Sequence, residues 1–184
     1  MPADVDAFHR IPGRVFLDTC VVNMMLDYGE ILYDGGDFPV DLPPDRARDL
    51  EALCGICDTG SRALWRFTIS KRTFHELNAT KRDSRRRELL RWFAELWHYQ
   101  SEFSHPQRLA RARLAELRRQ LRVLPDVADR ALILDAVRDH CQAFCTVDRS
   151  TIIRHQDRLK NLPLRVLTPS EWWAEIKPWA SVWL

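Results

Sequence analysis

The sequence predicts an α/β domain: three layers, α/β/α, around a central parallel sheet, with a basic helical hairpin attached. Short apolar runs alternate with longer amphipathic stretches, which is the pattern of βαβ units and a parallel sheet. The strand-like runs end on polar or acidic residues where a helical pattern begins. A third observation is charge segregation. Residues 1–70 hold 6 Lys or Arg against 12 Asp or Glu, whereas residues 71–122 hold 14 against 6.

In chain order, Arg14–Leu17 is the first strand, and Asp18 opens a helix with Val22, Met25 and Leu26 on one side. Tyr28–Asp45 is rich in Gly and Pro and is expected to be a loop. A helix follows from Pro44 to Cys57, with Ala47, Leu50, Leu53 and Cys54 at helical spacing. Ala63–Ser70 is the second strand, and Ser70 can cap the helix that carries Phe74 and Leu77. Two long helices, Ser84–Tyr99 and Pro106–Arg122, form the hairpin. The second of these places Ala110, Leu114, Leu117 and Leu121 on one stripe. Pro125-Asp126 opens a helix over Val127–His140, and Ala143–Val147 is the third strand. Leu162–Thr168 is the fourth, and Pro169-Ser170 starts a terminal helix with Trp172 and Trp173 on different sides.

The 184 residues, 46% hydrophobic and 29% charged, suit a single globular domain over 1–184, with the hairpin an elaboration at about 81–122. No apolar run approaches the roughly 20 residues of a membrane span. The N-terminal stretch lacks the basic and apolar parts of a signal peptide. Five cysteines, an odd number without a regular framework, point to a reducing, cytoplasmic setting. Cys54-x-x-Cys57 with Cys141 and Cys145 has the composition of a zinc site. The helical setting of the first pair favours buried thiols instead.

The acids carry the chemistry. Asp18 follows the first strand and Asp148 ends "CTVD" after the third, so a parallel sheet brings both to one edge. Asp129 lies in the first turn of the helix leading into that strand, and Glu76 lies in the helix after the second. Each has a structural role open to it: Asp18 and Asp148 as helix caps, Asp129 beside a capping Asp126, Glu76 in an ion pair. Together, four carboxylates in one cleft would repel severely unless divalent cations sat between them. Asp135, six positions past Asp129, turns to another face of its helix.

The ordered set resembles the PIN-domain nucleases. "VFLDTCVV" is similar to their first motif, with Asp18 and Thr19, and "TFHEL" to the second, with Glu76. "DRALILDAVRDHCQAFCTVD" is similar to the third, and "RVLTPSEW" to the tail of many members; the resemblance spans most of residues 14–173. It implies that Asp18, Glu76, Asp129 and Asp148 are the catalytic, metal-binding acids, supported by the hydroxyls of Thr19 and Thr146. It also implies Mg²⁺ or Mn²⁺ as cofactor and hydrolysis of phosphodiester bonds in single-stranded RNA. An antitoxin-like protein partner and a homodimer are family tendencies.

Arg72, Lys81, Arg82, Arg85, Arg86 and Arg87 are the candidate phosphate contacts. Trp92, Trp97 and Tyr99 are candidates for base stacking, although helical spacing favours core packing. The rival readings are a PIN-like module that binds RNA or protein without cutting, and a receiver-like domain with a phosphoacceptor Asp. The latter wants an acid ending its middle strand, where this chain has "TIS".

Overall fold

The computed structural model describes residues 5–63, 65–73, 87, 91, 94–95 and 108–183. Four strands, β1 (Arg14–Leu17), β2 (Arg66–Thr68), β3 (Ala143–Cys145) and β4 (Arg165–Leu167), form one sheet in the order β2-β1-β3-β4. All three pairings are parallel, with Val15 level with Phe67, Leu17 with Cys145, and Cys145 with Leu167. The helices are α1 (Val5–His9), α2 (Thr19–Asp27), α3 (Gly29–Asp34), α4 (Pro44–Ala63), α5 (Arg111–Gln120), α6 (Val127–Arg138), α7 (Pro169–Ile176) and α8 (Ala180–Trp183). None is long and apolar enough to cross a membrane, among the described residues.

Strand residues alternate between two apolar cores, as a pleat with period two requires. Val15, Leu17, Ala143, Cys145 and Leu167 pack with α2, α4 and α7 through Val22, Leu50, Ile56 and Trp172. Phe16, Phe144 and Val166 join Leu117, Leu121, Leu132 and Ile133 of α5, α6 and the turn between them. The Phe16 and Phe144 rings stack at 5.5 Å. A sheet apolar on both faces with a helical core on each is compatible with an α/β/α fold. Cys141 lies in the core opposite the one that holds Cys145, Cys54 and Cys57, so the four cysteines do not form one site. All five cysteines are free thiols.

Several expected boundaries shift. The loop Tyr28–Asp45 contains α3, held by buried Leu32 and closed by Gly35 in the left-handed region at φ 70. The helix expected to stop at Cys57 continues to Ala63, because Thr59 donates back to the Gly55 carbonyl and its hydroxyl needs no turn to be satisfied. β1 has its expected bounds, whereas β2, β3 and β4 are shorter than expected, and β3 gives Thr146 and Val147 to the loop that carries Asp148. In the hairpin, Ser84–Tyr99 lies outside the described residues except for Arg87, Arg91, Ala94 and Glu95, which are helical. The second helix begins at Arg111 rather than Pro106 and ends in a 3-10 turn, Leu121–Val123.

Candidate active site

Because the strands are parallel, their C-terminal ends share one edge, and the chain leaves β1 at Asp18 and β3 at Thr146. Asp18 occupies the N-cap position of α2 with extended backbone, but its side chain makes no capping bond. It is 6% exposed. Thr146 Oγ1 donates to Asp18 Oδ2 at 2.6 Å, and Cys20 Sγ donates to the same oxygen at 2.9 Å. Burial, and then the Asp18 charge, hold the Cys20 thiol well above its usual range, which keeps it a donor. Thr146 Oγ1 also accepts from the Asp148 backbone N–H at 3.0 Å, so one buried hydroxyl ties the two strand ends together.

Asp148 turns the chain after β3. Its Oδ1 accepts from Ser150 N, Ser150 Oγ and Thr151 N at 2.8, 2.7 and 2.9 Å, and its Oδ2 accepts from Thr151 Oγ1. Burial raises the Asp148 carboxyl, but the bonds from Thr151 and Ser150 outweigh it and leave the group below the usual aspartate value. Asp129 does not cap α6; Asp126 does, accepting from Ala128 N at 2.7 Å. Asp129 Oδ2 instead faces Thr151 Oγ1 at 2.9 Å. Burial is the largest cause that pushes Asp129 up to about 6, and the charges of Asp126, Asp18 and Asp148 add to it. The Thr151 hydroxyl thus stands between two carboxylates with one proton to give. One is held ionised while the other is drawn toward neutrality, the separation that acid–base chemistry uses.

Three of the four expected acids therefore meet at the sheet edge. Glu76 lies outside the described residues, as do Lys81, Arg82, Arg85, Arg86, Trp92, Trp97 and Tyr99. Thr19 is the first residue of α2, beside Asp18. Asp135 is turned away, paired with Arg72 at 3.3 Å and Arg138 at 3.2 Å. Arg72 and Arg87 are exposed. Among the described residues no group of three or more His, Cys, Asp or Glu side chains stands ready to hold a metal ion. In this arrangement the carboxylates are taken up by the hydroxyls of Thr146 and Thr151.

Three contributors carried no signal in the sequence analysis. Cys20 and Thr151 enter through contacts with the acids themselves. Asp49 of α4, fully buried, accepts from Arg149 at 2.7 Å and from Ser170 N at 3.2 Å, anchoring the residue after Asp148. These partners lie 100 and 121 positions away along the chain. No family model, curated protein or solved structure matches the chain.

Proposed function

We propose that the protein is a PIN-like, Mg²⁺- or Mn²⁺-dependent ribonuclease that hydrolyses phosphodiester bonds in single-stranded RNA. Asp18 carries this reading. A buried carboxylate is costly, and at a helix N-cap the obvious compensation is the capping bond, which Asp18 does not make. It is held instead toward Thr146, at an edge shared with Asp148 and Asp129.

The donors fit a hard divalent cation. They are carboxylate oxygens, and the mutual repulsion that helps raise Asp129 is the kind a cation relieves. Asp18, Asp129 and Asp148 would hold it, with Glu76 completing the set that the resemblance implies. Bound there, the cation would acidify water and offset charge on the leaving oxygen. The protein's own part is positioning. Thr146 orients Asp18 and fixes it relative to the Asp148 backbone. Ser150 and Thr151 donate to Asp148 and favour its ionised form.

The test is Asp18→Asn. Asn caps a helix about as well as Asp, so a capping role predicts an unchanged enzyme. A metal-binding role predicts an intact thermal midpoint with RNA cleavage in Mn²⁺ lowered at least about 100-fold. A folded, fully active variant would overturn the assignment. Wild-type protein that binds RNA and leaves it intact in Mn²⁺ would favour the non-cutting module.

A further inference from the structure

On the outer side of α6, away from Asp129, a groove of ~460 Å³ runs between this helix and the end of α5 with its 3-10 turn. Arg72, Arg118, Arg122, Arg130 and Arg138 line it, and Asp135 is its only acid among the described residues. Asp135 is spent on Arg72 and Arg138. Arg130 is fixed by donating to the Leu124 carbonyl at 2.8 Å. Arg118 and Arg122, four positions apart and both exposed, have no acidic partner among the described residues. The described lining thus keeps a net charge of +4, with three arginines already held in place and two facing solvent.

We propose that this groove seats the phosphate backbone of a single-stranded RNA. Arginine forks match phosphate oxygens in pairs, and several on facing elements can follow successive phosphates. The one strongly exposed apolar side chain in the lining is Val127, 71% exposed, which offers a sugar or base a dry contact. A protein partner would want aromatic or aliphatic anchors at the centre of its interface, and the exposed lining supplies none beyond Val127. Asp129 and Asp135 sit on one helix, about 9 Å apart along its axis at 1.5 Å per residue and on different faces, so the groove is a surface separate from the acid cluster. The choice of RNA rests on the proposed nuclease activity; the polyanion site itself does not.

The experiment measures anisotropy of a short fluorescein-labelled oligouridylate in EDTA across a salt series, with wild type and with Arg118→Gln/Arg122→Gln. Both positions are exposed, and equal thermal midpoints would verify the fold. The expected result is affinity lowered at least about tenfold and a log–log salt slope shallower by about 1.4, since each lost single-strand phosphate contact removes about 0.7. Affinity and slope equal to wild type would overturn the groove. So would polyglutamate displacing the oligonucleotide as well as unlabelled RNA does, which would assign the groove to an acidic protein. If the arginine-dependent binding is found but wild type cuts no RNA in Mn²⁺, the groove stands and the nuclease reading falls. If the double variant cleaves RNA at unchanged KM, the nuclease reading stands and the groove falls.

Discussion

Thr151 has one hydroxyl proton and two carboxylate neighbours, and this shortage sets the titration of the cluster. Asp148, with additional donors from Ser150, is held below the usual aspartate value, while the Thr151 hydroxyl lowers Asp129 less than burial and the neighbouring charges raise it. Asp129 titrates near 3.8 when unfolded and about 6 when folded. Between those values the folded state binds more protons, so this group's contribution to stability declines as pH rises through about 4 to 6 and is level above. Asp148, held low, contributes stability that is lost only as pH falls below the usual aspartate value, and so leaves that window undisturbed. Thermal midpoints in EDTA from pH 4 to 7 should show wild type losing ground to Asp129→Asn as pH rises. Parallel curves would refute the assignment. The acids at this edge were legible because each is defined by its position beside a strand or in a helix turn. Their partners were not. Thr151 and Cys20 are ordinary small residues until the fold brings them to a carboxylate.

At the scale of elements, α4 and α7 lie against each other closely enough that Gly55 is a packing requirement. A Cβ at this position would stand 2.4 Å from the Trp173 ring. Glycine inside a helix ordinarily costs about 0.5–1 kcal/mol relative to alanine, so Gly55→Ala would stabilise an isolated helix. Here the rigid indole, itself half-buried, has to move, and overpacking of this kind costs about 1–3 kcal/mol. The variant should lose about 1–2 kcal/mol in urea unfolding; a gain in stability would show that Trp173 swings aside freely. This approach explains one limit of sequence reading. The paired tryptophans were separable by helical spacing, and Trp172 is indeed wholly buried, but the glycine that receives Trp173 is over a hundred positions earlier. The end of α4 and the existence of α3 were missed for a local reason. Gly29, Thr59 and Gly60 carry turn preferences, which burial of Leu32 and the back-bonded hydroxyl of Thr59 override.

Across the whole molecule, the parallel sheet sorts apolar side chains into two cores and leaves the acids at one edge, and the alternation along the chain was enough to read that much. What ties the edge to the rest is a buried polar junction. Asp49 joins α4 to Arg149 after β3 and to the first turn of α7 at Ser170, so three segments distant in sequence meet at one carboxylate. Its two ends are unequal. The Arg149 side chain is 36% exposed, with Asp45 a further partner at 3.5 Å, whereas Asp49 is fully buried. Removing Asp49 leaves a cation that can turn to Asp45 or to water. Removing Arg149 leaves a buried carboxylate with the Ser170 N–H as its remaining partner among the described residues. Breaking a buried pair is expensive in proportion to the charge stranded. Arg149→Met should therefore cost about 3–5 kcal/mol in urea unfolding, and Asp49→Asn, which keeps an acceptor for Ser170, about 1–2 kcal/mol. Adding Asp49→Asn to Arg149→Met should restore part of the loss, because no stranded charge remains. Equal costs for the two single changes, or a double variant no better than Arg149→Met, would show that the loop bearing Asp148 is held in place by packing rather than by this ion pair.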